Sequence, residues 1–471
     1  MKVENSEFLS NSKELIGKLI SKLSESYEYV SVLGTDTKGK CFRVSKTGIE
    51  VNDFWLVERG FVVRIHNGVN YSEYSFNEID ENKLDSIVED IKAKLNKVSK
   101  DISVNPYEVI KEEEIKGDFY GEVEVNPEEI SPEVIIKALT EIKDTALAYS
   151  DLVVHFQVTY NMIHVSKLFM SNKKDLEQSY MLGEGYLYSL ARREEKTKYS
   201  FKTFSGLKGF ELVQELKEGC IEAVEESIKL LDSKTVEPGE YEVICAPDVA
   251  GLIAHEAFGH GVEMDMFVKE RAKGAEFIDK QVASALTTMH DGAAAAKHIS
   301  SYLFDDEGTI GTDTVIIENG ILKTGISDLL SAIKLGTTPT GNGKRQSFER
   351  KAYARMTNTL FEAGDDKLED MIASIKDGYL LEGYYSGMED PKSWGIQCII
   401  TLGKEIKDGK LTGNLISPVI MTGFVPDLLK SISMVSEKIK LDGAGYCGKG
   451  YKEYVKTSAG GPYIKAKVRL G

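Results

Sequence analysis

Apolar positions along this chain change period several times, and each change marks an element. Leu15, Ile16, Leu19, Ile20 and Leu23 recur at three- and four-residue steps, which predicts an amphipathic helix over 11–24. Asn11 with Glu14 resembles a capping box at its start. The pattern then shortens toward alternation. Strands are expected at 29–33, 41–44, 48–52 and 55–66, with a turn at Lys38-Gly39-Lys40. Asn67-Gly68 predicts a hairpin joining 61–66 to 69–74. Leu84, Ile87, Val88, Ile91 and Leu95 restore the helical period and predict a helix over 81–98. Residues 100–130 are acidic, contain proline and have no clear period, so they are expected to connect. Ser131-Pro132 starts a third helix, to about Tyr149, with serine as cap and proline in the first turn. Strands follow at 152–160, 163–170 and 176–194, then a fourth helix at 209–232.

The order helix, meander, helix thus occurs twice. It predicts an N-terminal α+β domain, 1–235, of two similar halves, 1–100 and 131–235. Pro238-Gly239 opens a second domain, 236–471. There a buried strand, Tyr241–Cys245, feeds a helix start at Pro247–Ala254. Beyond Thr314 the pattern is strand-rich, with hairpin turns at Asn319-Gly320 and Asp408-Gly409. A short helix is expected at 367–376, and the glycine-bearing stretch 336–348 reads as a loop. The fold class is α+β. An antiparallel sheet with helices comes first, and a β-rich domain carrying the helix of a candidate metal site comes second.

Composition narrows the function. The 471 residues suffice for two or three domains, and 42% hydrophobic with 28% charged residues is ordinary for a globular protein. A formal net charge of −17 argues against nucleic-acid binding, and the basic stretch Lys449–Arg469 reads as a solvated face. Five cysteines without compact spacing suit a reducing compartment. Met1–Leu23 has no signal-like core, and no run of about 18 apolar residues predicts a membrane span. A soluble, cytoplasmic protein is expected.

The chemistry concentrates in His255-Glu256-Ala257-Phe258-Gly259-His260-Gly261. Two neutral imidazoles on one short segment can hold zinc, and Glu256 beside them can take a proton from the metal-bound water. That is the logic of H-E-x-x-H, but here the spacing is one residue longer. On a regular helix five residues turn about 500°, which leaves the two imidazoles about 140° apart. Gly259 and Gly261 therefore predict a π-bulge or a broken turn between Phe258 and His260. A third ligand must come from elsewhere, and Cys447 within Gly443–Gly448 is the best candidate, with Lys449 placed to lower its thiol pKa. The other four cysteines read as small buried hydrophobes. Glu263 and Asp265 are expected to support the ligands or to be solvated. Tyr446 and Arg355 are candidates to steady an oxyanion by residue type. Arg355-Met356-Thr357-Asn358-Thr359 reads as a strand that could pair with an extended peptide, with Arg355 and Asn358 as substrate-binding candidates.

The histidine motif resembles the signature of the TldD/PmbA family of metallopeptidases. Asp305-Asp306-Glu307-Gly308-Thr309, Pro339-Thr340-Gly341-Asn342-Gly343, Arg355–Thr359 and Cys447-Gly448-Lys449-Gly450 follow in matching order. The resemblance is to the catalytic, TldD-like branch, because the partner branch lacks the histidines. It implies Zn2+ held by His255, His260 and Cys447, and a barrel-like β domain with the metal site at its interior. It also implies pairing with a metal-less paralogue or with a second copy. The function expected is zinc-dependent hydrolysis of unfolded or short peptides, with Glu256 as general base. A non-catalytic subunit stabilised by its metal, and a metal amidase or deacylase acting on a small molecule, are the alternatives.

Overall fold

The computed structural model describes residues 1–95, 106–450 and 453–471. The first half of the chain is built on one eight-stranded sheet. Its strands run in the order Tyr71–Phe76, Glu58–His66, Val30–Ser45, Val153–Ser171, Lys174–Arg193 and Ile115–Tyr120. Gly48–Asp53 also pairs with Val30–Ser45, and Lys196–Gly206 with Lys174–Arg193. Ile115–Tyr120 is parallel to its neighbour, and the other pairings are antiparallel.

Alternation decides what each face of the sheet meets. Val30 and Val32 lie under helices Glu7–Ser24 and Leu84–Leu95. Farther along the same strand, Phe42 and Val44 lie under Pro132–Tyr149 and Leu212–Lys229. Leu33, Ile163, Val165 and Phe169 turn to the opposite face, where Ile299, Phe304 and Phe348 from the second half cover them. The two helix–meander–helix runs therefore share one sheet.

Several elements depart from the expected ones. Strands 153–171 and 174–193 are each continuous. The first helix starts at Glu7 because Ser6, not Asn11, caps it by accepting from the Leu9 N–H. The second is described over Leu84–Leu95, and 96–98 lie outside the described residues. Within the expected connector, Ile115–Tyr120 forms an edge strand, and 100–105 lie outside the described residues. Asn67-Gly68 does not make a two-residue turn. Asn67 Oδ1 accepts from both Val69 and Asn70, so the loop spans four residues and His66 pairs with Tyr71.

The second half contains a closed five-stranded barrel. Gly239–Cys245 pairs with Asp377–Asp390 and with Ile464–Leu470; the ring continues through Val419–Phe424 and Gly395–Lys407 back to Asp377–Asp390. A six-stranded sheet stands beside it and includes Asn358–Phe361 and Ser458–Gly461. Asn319-Gly320 and Asp408-Gly409 each join directly paired residues and carry positive φ at both positions, as a type I′ turn requires. Helix Pro247–Leu252 leaves the barrel directly after Cys245. It packs so closely on Ser458–Gly461 that a Cβ at Gly251 would stand 2.5 Å from the Gly460 nitrogen.

Candidate metal centre

Helix Pro247–Leu252 passes without interruption into a π-helical turn, Ile253–Gly259, followed by a 3-10 turn, His260–Val262. The N–H of His260 bonds the carbonyl of His255, five residues back. That extra residue per turn brings the second imidazole round to the side of the first. The ring centroids lie 5.3 Å apart at 85°. Gly259 lets this turn pack against Met356, because a Cβ there would stand 2.1 Å from the Met356 Sδ.

Cys447 arrives on a hairpin, Tyr446–Lys449 with Glu453–Lys456. Its Sγ lies 3.4 Å from His260 Nε2, and the donor atoms of His255, His260 and Cys447 all lie within 4.8 Å of one another. Two imidazoles and a thiol at this separation fit zinc, which His255, His260 and Cys447 would hold. Burial opposes ionisation of the Cys447 thiol, but the two imidazoles outweigh it and hold the thiol well below its ordinary value. Burial also opposes charge on His260, which Cys447 and Glu263 outweigh in the other direction.

Glu256 Oε2 is 3.9 Å from His260 Nε2. Burial pushes its carboxyl up, and the two imidazoles pull the other way. The carboxyl sits beside barrel strand Asp377–Asp390, where Gly387 leaves room for it; a Cβ there would be 2.6 Å from Glu256 Cγ.

Glu263 is a buried support. Its Oε2 lies 3.3 Å from His260 Nδ1 and 2.9 Å from Lys449 Nζ, and Arg355 Nε is 3.7 Å from Oε1. Burial would raise its pKa, but Lys449, His260 and Arg355 hold it well below the usual carboxylate range. Asp265 takes a second contact of Lys449, at 2.6 Å, and the Ala354 carbonyl accepts a third. Lys449 thus braces Glu263 and Asp265, and the shift of the thiol comes from the imidazoles instead.

The remaining candidates are spent inside the protein. Arg355 is 1% exposed and donates to the Cys447 and Glu453 carbonyls, so it holds the thiol's hairpin. Asn358 is fully buried and donates to the Gly292 carbonyl and Ser301 Oγ. Asn358–Phe361 is paired on both sides, with Met289–Asp291 and Ser458–Gly461, so it offers no edge to a peptide. Tyr446 donates to Glu184, away from the centre. His290 bonds Asp313 and Glu362, and His298 lies beside Gly443.

One group near the centre had no signal in the sequence. Glu389, on Asp377–Asp390, is pushed up to about 8 by burial, with His260 opposing and Glu256 adding to the rise. A Cβ at Gly261 would stand 3.0 Å from its Oε1. No spacing ties residue 389 to residue 260, and only the strand's path brings them together.

Comparison with known proteins finds a family model, metalloprotease relatives and a solved structure of the same fold. The model of the PmbA/TldA metallopeptidase C-terminal domain matches residues 238–469. A metalloprotease of Methanocaldococcus jannaschii is 28% identical over 343 residues, covering 72% of this chain and 74% of that protein. A zinc metalloprotease TldD homolog of Saccharolobus solfataricus is 33% identical over 241 residues, which cover 51% of this chain and 53% of that relative. The match thus spans about half the length of the second relative. The crystal structure of TldE from Thermococcus kodakarensis shares the fold, with a TM-score of 0.75 at 20% identity over 97% of this chain and 100% of that one.

Proposed function

The chain belongs to the TldD/PmbA family of metallopeptidases, and from that premise we propose that it hydrolyses peptide bonds, with zinc held by His255, His260 and Cys447 and Glu256 as general base. The observation that carries this reading is the donor set itself, three groups within 4.8 Å with a carboxyl 3.9 Å from one of them. When bound, zinc supplies Lewis acidity, polarising a peptide carbonyl and acidifying water. Glu256 takes the proton of the attacking water and passes it to the departing amine nitrogen. Glu263 holds His260 through Nδ1, so that Nε2 stays aimed at the thiol. Arg355 and Asn358 act on a bound peptide through the hairpin and loops they brace.

Extended substrates suit this site. Past Leu381, strand Asp377–Asp390 has a strand partner on one side only among the described residues. A peptide laid along the other edge would run past Gly387 and meet Glu256. We therefore assign unfolded or short peptides as substrates. No helix among the described residues is long and apolar enough to cross a membrane, and all five cysteines are free thiols. Both support a cytoplasmic setting. The same reading divides the chain into 1–235 and 236–471 and pairs it with a second copy or a metal-less paralogue.

The deciding experiment compares zinc-loaded protein with Glu256→Gln on an unfolded substrate such as casein. The variant should keep its metal and its fold and lose at least about 10²-fold in rate. Unchanged cleavage would move the proton transfer to another group.

A further inference from the structure

A cleft separate from the metal centre lies between the N-terminal sheet and the second half of the chain. Its cavity volume is about 120 Å³, and it opens to solvent. Phe54, Leu56, Ile163, Val165, Leu182 and Ile299 make its walls apolar. Its charged lining is mostly neutralised within the protein. Lys167 pairs with Asp306, Arg345 with Glu73 and Lys456 with Glu184. Asp305 accepts from the backbone N–H groups of Glu307, Thr309 and Gly343. Glu58 accepts from Phe348 N and Thr35 Oγ1. Burial pushes Glu58 up to about 7, so its acid form is at hand near neutrality.

Lys344 is the exception. It is 8% exposed, lines the cleft, and donates to two carbonyl oxygens, those of Met356 and Lys456. An ammonium has three N–H donors; two go to these carbonyls, and the third has only the Tyr302 ring, 5.9 Å away, beside it. Among the described residues no carboxylate pairs with it. Burial and then Arg355 push it down to about 7, although Asp291 and Asp306 pull the other way without pairing with it directly. Ser300, also on the lining and 4% exposed, has a buried hydroxyl with no partner. A donor that turns cationic near neutrality and a spare hydroxyl, both lining one apolar cleft, together match one carboxylate on an apolar body.

We propose that this cleft binds a small apolar monocarboxylate, anchored by Lys344 and Ser300 with its apolar part against the sheet. The carboxylate can belong to a medium-chain fatty acid or to the C-terminal residue of an apolar peptide. The occupant would touch Tyr446, on the hairpin whose next residue is Cys447. Binding here is independent of the peptidase reading, because it needs neither zinc nor Glu256.

Calorimetry on the full-length protein tests it, with octanoate as one probe and N-acetyl-alanyl-phenylalanine as the other. Octan-1-ol and the dipeptide amide are the uncharged controls. At least one carboxylate should bind, and bind more tightly than its own control. Lys344→Met should weaken that carboxylate at least about tenfold, the loss of one charge-assisted contact, and leave the control unchanged. Leu56→Trp, which fills the cleft from a surface loop, should weaken both carboxylate and control, and it decides the matter if Lys344→Met does not fold. Binding of octanoate alone assigns the fatty acid, and binding of the dipeptide alone assigns the peptide terminus. Absence of binding by either carboxylate at millimolar concentration overturns the proposal. So does carboxylate binding that both variants leave unchanged.

Discussion

Glu263 and Lys344 are both buried charges, and their surroundings give them opposite fates. Glu263 has three cations around it and stays ionised. Lys344 has two carbonyl oxygens and the Tyr302 ring beside it, with no paired carboxylate among the described residues, and is pushed down from an ordinary 10.5 to about 7. That difference predicts a pH dependence of stability. Above 10.5 the amine is neutral whether the chain is folded or not, so burial carries no penalty. As pH falls from 10.5 to 7, the unfolded chain takes up a proton there and the folded chain does not. Stability is then lost, by at most about 1.4 kcal/mol per pH unit. Below 7 the penalty is complete and constant. Lys344→Met removes it, so the advantage of the variant over wild type should grow as pH falls from 10 to 7. Urea unfolding of both proteins at pH 7, 8.5 and 10 measures it. A pH-independent difference would mean that Lys344 titrates as an ordinary lysine.

The helix that carries the histidines was largely readable from the sequence, because arithmetic on its spacing demanded a defect and two glycines marked where one could form. The structure places a π turn over Ile253–Gly259. Asn319-Gly320 and Asp408-Gly409 were readable for a related reason, since each turn needs positive φ at two positions and the residues advertise it. Asn67-Gly68 misled, because the side chain of Asn67 formed its own turn with Val69 and Asn70. Ile115–Tyr120 was hidden, since it is an edge strand whose side chains are half exposed and lack a full apolar face. Glu389 and Glu184 were invisible because their roles depend on strand paths. The helix defect itself can be tested at Gly259. A Cβ there would meet Met356 Sδ at 2.1 Å and the Ala254 carbonyl at 3.1 Å. Gly259→Ala should therefore cost about 1–3 kcal/mol of stability, as overpacking does, and weaken zinc binding more than the distant Gly68→Ala. Equal zinc affinity in both would separate the π turn from the ligand geometry.

The two halves of the chain meet through buried charges, and one junction bears directly on the metal centre. Glu184, on the N-terminal sheet, is fully buried. It accepts from Tyr446 Oη at 2.5 Å and pairs with Lys456 at 2.6 Å. Tyr446 and Lys456 face each other across the hairpin that presents Cys447. Glu184→Gln keeps a hydrogen-bonding group but strands the Lys456 charge, so zinc affinity should fall about tenfold while the sheet stays folded. Zinc titration alongside far-ultraviolet circular dichroism reads both, and unchanged affinity would show that the hairpin holds its place without the sheet. A further surface predicts assembly. Among the described residues, strand Gly48–Asp53 pairs on one side only, and it is exposed along its whole length, with Ile49 54% and Val51 42% exposed and Trp55 close by at 56%. An exposed apolar strand with a free edge is a liability that a two-fold partner removes. Chromatography with light scattering at micromolar protein should give twice the 52.2 kDa chain mass, with an interface on the order of 2,000 Å². Ile49→Glu combined with Val51→Glu places like charges across that contact and should yield monomer. A 52.2 kDa wild-type species that retains full peptidase activity would remove the need for a partner altogether.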